Sequence, residues 1–344
     1  MLESILHRRA EALEPAGVTI VKAHSLLANC MLAVLTYMGI GRVAAQEFPT
    51  RPISFIVPNL PGGSSDLIAR AIGARLQVIL GQPVVVDNKP GASELIGTDL
   101  AVRAPPDGYT IAILSNALSI NETLSPNRTY VAERDLLAVA KLVELPFALI
   151  VSAAVPAKSL QEFIAHAKAN PGKLSYGHVG HGAPHYLTME WFKRAAGLDI
   201  VDIPYRSSPP VYAALLGGEI QLTVGALGGA TQLIESGKLK ALASMSKRRP
   251  VSQPDLPSIT EFGFAEFDLV PWMGVFVPAK TPAAVVRKLE TELLAAAQDS
   301  EVKDRLMKVG LEPSAAGASE FSSLVKRDIA NWAKIVRDVG VKPQ

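Results

Sequence analysis

From residue 53 onward, short runs of aliphatic and β-branched residues are each followed by a stretch with helical spacing, and this alternation narrows the possible folds more than any other feature. Residues 53–57 form a strand-length run closed by PNLPGGSS. After it Leu67, Ile68, Ala71, Ile72, Leu76 and Ile79 recur at three- and four-residue steps, which places them on one face of a helix. Residues 84–86, 110–114, 174–177, 200–204, 220–224 and 239–244 repeat the theme, each bounded by Gly, Pro, Asn or Asp. Strands alternating with helices predict an α/β chain with parallel-type sheets, because parallel neighbours need a crossover connection. At 344 residues the chain exceeds one comfortable hydrophobic core, so two lobes are expected. Two long apolar stretches, 136–152 and 239–246, interrupt the alternation and read as crossings between the lobes. Lobe one then comprises 46–145 and 250–344, and lobe two comprises 146–249. Residues 282–339 read mostly as amphipathic helix.

The first 45 residues read as an address. An apolar run over 26–40 is too short for a stable membrane span and fits the core of a signal peptide, with Val43-Ala44-Ala45 ahead of the cut. Cleavage after Ala45 is expected, residues 1–21 forming a possible start-site extension; an amino-terminal anchor is the alternative. The only cysteine, Cys30, lies inside this segment, so neither a disulfide framework nor a cysteine metal knot is available to the rest. A cysteine-free chain suits an oxidising compartment, the periplasm of a diderm host. The net charge of +2, from 34 basic and 32 acidic side chains, gives no general footprint for nucleic acid.

In open α/β sheets, ligands sit beyond the carboxyl ends of the strands, so the loops there carry the functional reading. The first is Pro61-Gly62-Gly63-Ser64-Ser65-Asp66. Its glycines allow close backbone approach, and the free amides of the helix start favour a carboxylate or phosphate oxygen. The simpler alternative is plain capping, with Ser64 as N-cap and Asp66 in the first turn. Ser115 and Asn116 end the third strand and could add a hydroxyl and an amide. In the middle of the chain, residues 175–185 hold His178, Gly180, His181, Gly182 and His185. Their HxxHxxxH spacing would suit a metal only on a helix, which Gly180, Gly182 and Pro184 oppose, and no acid in that stretch supplements them. Hydrogen bonding by His178 or His181 to a ligand, or an ordinary polar loop, are the other readings. Tyr205, Arg206 and Ser207 lie in the next strand-to-helix loop. No GxSxG elbow, HExxH motif or cysteine nucleophile is present in the chain after residue 45, and no enzyme is expected.

The ordered segments VPNLPGGSSDLIAR (57–70), VVVDNKPGASELIG (84–97), PPDGYT (105–110), LSYGHVGHG (174–182), IPYRSSPP (203–210), LLGGEI (215–220) and SGKLKALA (236–243) resemble the Bug family, the periplasmic receptors of tripartite tricarboxylate transporters. The resemblance implies a two-lobed Venus-flytrap fold of the type II periplasmic-binding-protein class, with a mixed, mostly parallel sheet in each lobe. It implies a monomer that closes on a small organic carboxylate, without a cofactor or bound metal, and delivers it to the membrane subunits of a transporter. An orphan sensor presenting its ligand to a signalling receptor is the alternative, and an exported metal-binding protein or hydrolase centred on His178, His181 and His185 is a further one. Carried over position by position, Gly62, Gly63 and Ser64 match the family's first loop, Ser115 and Asn116 its third-strand end, Gly180 and Gly182 its glycine loop, and Tyr205 and Ser207 its PYR segment. The chain departs from the family pattern at His178, at Ala183 and Tyr186, at Gly225 where the family often has Asp, and around Ser93-Glu94, where a glycine-rich turn is usual.

Overall fold

The computed structural model describes residues 48–266 and 268–342. The export segment with its cleavage point and Cys30 lies outside the described residues. The α/β alternation resolves into two sheets that share one chain of helices. The first sheet uses β1 (Ile53–Val57), β2 (Val84–Asn88), β3 (Thr110–Ser115), β4 (Leu136–Glu144), β10 (Trp272–Pro278) and β11 (Glu312–Gly317), in the order β11-β4-β10-β3-β1-β2. The second uses β5 (Phe147–Ser152), β6 (Ser175–His178), β7 (Val201–Pro204), β8 (Leu222–Ala226) and β9 (Leu239–Ser244), in the order β7-β6-β8-β5-β9. Each sheet is mixed. Strands β1, β2 and β3 pair in parallel, as do β6, β7 and β8, while the strands that cross between sheets pair antiparallel.

The helix Ser64–Leu80 shows how sequence becomes element. Ile68, Ala69, Ile72 and Leu76 are buried against the sheet, and Gly81 ends the helix in the left-handed region at φ 65, which glycine adopts without penalty. Burying each of the Ile and Leu side chains contributes about 1.5–3 kcal/mol relative to exposure. Two strands escape the sequence pattern. β10 fills the middle of the first sheet between β3 and β4, and β11 forms its edge. The sequence EPSAAG of β11 has neither β-branched residues nor clean alternation, and its proline is tolerated because an edge strand needs fewer ladder bonds.

The sheets connect where β4 runs into β5 through Leu145-Pro146, and where the chain returns into β10. These crossings lie side by side, since the Leu145 amide donates to the Pro271 carbonyl at 2.8 Å. The first core holds Trp272, Phe276 and Phe321, with the Trp272 and Phe321 rings edge to face at 5.0 Å. The second core holds Phe163, Tyr176, Phe192 and, from β5, Leu149 and Val151, and it also takes Trp332, Ile335 and Val336 from the final helix, Ala318–Val339. No helix among the described residues is long and apolar enough to cross a membrane.

Candidate functional site

The carboxyl ends of β1, β2 and β3 form one wall. The helix after β1 begins at Ser64 and its N-cap is Gly63, with no side-chain capping bond. Ser64 is therefore the first helical residue and does not cap, a correction to the plain-capping expectation that follows from Gly63 already standing in the extended cap conformation. The first amides of any helix lack internal acceptors, so those of Ser64 and Ser65 are available to an outside oxygen. The Ser65 hydroxyl is committed, donating to Asn59 Oδ1 at 2.7 Å. Asp66 is a structural clamp. It accepts from the Gly62 amide, Arg70 Nε and Asn88 Nδ2 at 2.9–3.0 Å. Burial opposes its ionisation, but these bonds hold its carboxyl below the usual range.

The turn after β2 supplies a group that sequence reasoning did not place in the site. Ala92, Ser93 and Glu94 all have positive φ, at 46°, 52° and 75°, three consecutive non-glycine residues in a region that costs each of them energy. The turn carries the Glu94 carboxylate to the end of β3, where it accepts from Ser115 Oγ at 2.9 Å, and from the Ser115 amide and Asn59 Nδ2 at 3.4 Å each. Ser115, expected to face a ligand, is thus occupied by Glu94, while its hydroxyl also accepts from the Ala117 amide at 3.1 Å. Burial raises the Glu94 carboxyl above the usual range, against the pull of these donors. Asn116 next to it is buried, and its Nδ2 has no acceptor among the described residues.

The opposite wall is built from the ends of β6, β7 and β8. His178 closes β6 and is buried; the Gly180 amide donates to its Nδ1 at 3.1 Å, so the ring proton sits on Nε2 and points at Asp202 Oδ2, 3.2 Å away. His181 Nε2 contacts the same oxygen at 3.2 Å, and Tyr186 packs within 4.8 Å of both imidazoles. Burial lowers the His178 pKa and raises that of Asp202, but the two histidines bring the Asp202 carboxyl below the usual range. His185 does not join them. It stacks on Phe147 at 5.2 Å, and burial drops its pKa to about 4. The three-histidine arrangement is therefore replaced by two histidines and Asp202, whose position 24 residues after His178 hid it from any local motif. His178, His181 and Asp202 place ligand-type atoms within 4.8 Å of one another. The hydrogen bonding does not suit a metal, because the Gly180 N–H faces Nδ1 and keeps the proton on Nε2, the atom that would have to ligate.

Gly180 takes φ 122, and a Cβ on Gly182 would come within 3.2 Å of Leu124, so this glycine loop lies against the helix Ala117–Leu124 that follows Ser115 and Asn116. The two walls meet there. Tyr205 is fixed by its amide bond to the His178 carbonyl at 2.7 Å, and Ser207 is the extended N-cap of the helix Ser208–Gly217, with no side-chain capping bond. At Gly225, Tyr212 fills the space: its hydroxyl would lie 3.1 Å from a Cβ at 225 and donates to the Ala226 carbonyl.

Residues 68–341 match the model of the tripartite tricarboxylate transporter family receptor. Protein BugT of Bordetella pertussis is 34% identical over 302 residues, covering 87% of this chain and 93% of that protein. Among solved structures, the periplasmic binding protein BugD superposes with a TM-score of 0.74 at 32% identity, over 86% of this chain and all of that one. A Rhodopseudomonas palustris protein solved with adipate gives 0.76 at 30% identity over 87% of this chain and 100% of its own, and MatC from the same organism, with bound malate, gives 0.71 at 28% over 84% and 100%.

Proposed function

Because the chain belongs to the tripartite tricarboxylate transporter receptor family, whose members are solute-binding receptors, we propose that it captures a small organic carboxylate between its two walls and delivers it to transporter membrane subunits. The observation that carries this reading is the group of uncommitted donors at the strand ends: the first amides of the helix starting at Ser64, the Ser64 hydroxyl outside any capping bond, and the unpartnered Asn116 Nδ2. Such donors stabilise a carboxylate without bulk positive charge, in keeping with a net charge of only +2. MatC with malate and the R. palustris protein with adipate support a carboxylate as the solute class. The reading places the mature protein in the periplasm as a monomer, exported by residues 1–45, with lobes divided at the paired crossings Leu145-Pro146 and Pro271, the second later than the expected 250 because Ile259 and Leu269 pack in the second core. Gly62, Gly63, Ser64 and Asn116 would line one wall, and His181, Gly180, Gly182, Tyr205 and Ser207 the other. Ligand held by both walls shifts the lobes toward a closed state that a membrane partner recognises.

Thermal shift against a panel of organic acids tests this. A specific acid at a hundredfold excess over its Kd should stabilise the protein by roughly 2.7 kcal/mol. Ser64→Ala should weaken that acid about tenfold and leave the unliganded melting temperature unchanged, since its hydroxyl caps nothing. Stabilisation by zinc or nickel alone, with no response to any acid, would sink the reading.

A further inference from the structure

Glu94 has no cationic partner among the described residues. Burial penalises a charge that has no counter-charge, and such groups are normally paired. The cations of the adjoining segments are committed elsewhere, Arg70 to Asp66 at 2.9 Å and Lys89 to Asp87 at 3.1 Å. What surrounds Glu94 instead is a set of three neutral donors, Ser115 Oγ, the Ser115 amide and Asn59 Nδ2. All three point at the carboxylate, so its environment is built for an acceptor. Two of them converge on Oε1 and one reaches Oε2 at 3.4 Å, and a carboxylate has roughly four acceptor positions, which leaves Oε2 with capacity for a stronger partner. Glu94 itself is half-buried and sits at the strand-end wall, beside Ser115 at the end of β3. Through Asn59, which donates to Glu94 and accepts from Ser65, it is two hydrogen bonds from the helix start where a ligand carboxylate would rest. An anion that close would repel a ligand that is acidic throughout.

We propose that Glu94 is a specificity-determining residue whose carboxylate pairs an ammonium group on the captured acid, so that the receptor selects small amino-bearing carboxylates over plain dicarboxylates of the same length. This rests on the carboxylate reading above and narrows it. The strained turn has a purpose on this view: three positive-φ residues hold a charged side chain at a point that a glycine turn would leave bare.

The test is calorimetric titration of the full chain with matched pairs, aspartate against succinate and glutamate against glutarate. The wild type should favour the amino member of at least one pair by about tenfold or more, the effect expected of a charge-assisted hydrogen bond to a carboxylate. Glu94→Gln and Glu94→Gly should both reduce that ratio to within about threefold. The glycine variant suits φ 75, so relief of backbone strain offsets the lost bonds to Ser115 and Asn59, and an unchanged melting temperature guards against a loss of binding through misfolding. Preference for the plain diacid in the wild type, or an unchanged ratio in both variants, overturns the proposal while leaving carboxylate capture intact. If no acid of any kind binds, capture itself fails and this inference falls with it.

Discussion

Asp328 is the residue whose chemistry departs furthest from its sequence appearance. In the helix Ala318–Val339 it sits among exposed charges, yet its carboxyl faces inward and accepts from Trp272 Nε1 at 3.0 Å. Burial raises its pKa to about 7, with the indole bond pulling the other way. The sign of its effect follows. The folded state holds the proton more tightly than the unfolded chain, so Asp328 favours folding fully below about pH 4 and loses that contribution as pH rises toward 7. Asp328→Asn should therefore flatten part of the pH dependence. Its melting temperature relative to wild type should rise by a few degrees between pH 5 and pH 8, checked by calorimetry at both values; a constant offset across the range would contradict the buried-acid account. At this scale the sequence was legible for backbone-driven positions and opaque for side chains that meet across the fold. Gly62 and Gly63 mark a helix start, and the helix does begin at Ser64, although the same letters fit a ligand cradle and a plain cap alike. Asp202 and Glu94 carry no such mark, because their partners His178 and Ser115 are 24 and 21 residues away and no local pattern links them.

Elements were readable where burial imposes a period. The strands with aliphatic runs and the helix at Ser64–Leu80 fall where their apolar spacing puts them, within a residue or two. β11 and the single-residue contacts between helices carry no such period, and they are set by what packs against them. A close approach of this kind joins a helix to a loop: a Cβ on Gly228, in the first turn of the helix Leu227–Glu235, would lie 2.2 Å from the Gly310 Cα, just before β11. No side chain fits there, and neither backbone can retreat without moving its whole element. Gly228→Ala should cost about 1–3 kcal/mol by overpacking, read from denaturant midpoints. Because the wedge separates an element of one lobe from a loop of the other, it should also increase the radius of gyration in X-ray scattering. A stable variant with unchanged dimensions would show that the glycine pair does not set the lobe spacing.

At the scale of the whole molecule, two sheets and two crossings would permit two independently unfolding lobes, and the final helix argues against it. Ala318–Val339 inserts Phe321 and Val325 into the first core and Trp332, Ile335 and Val336 into the second. Ile120 and Leu124, from the helix that follows β3 of the first sheet, also lie in the second core. A lobe that unfolded alone would strip apolar partners from its neighbour, so each lobe's stability includes the other's integrity. Unfolding should therefore be one cooperative transition by calorimetry, with calorimetric and van't Hoff enthalpies agreeing. Trp332→Ala, which empties a site 1% exposed, should cost about 3–5 kcal/mol. If the helix is the coupling element, that variant should also broaden or split the transition, because the second core loses its hold on the helix while Phe321 and Trp272 keep the first. A loss of stability with a sharp single transition would assign the coupling to the crossings at Leu145-Pro146 and Pro271. If ligand capture closes the lobes as proposed, a helix seated in both cores favours rotation about the paired crossings over separation of the lobes.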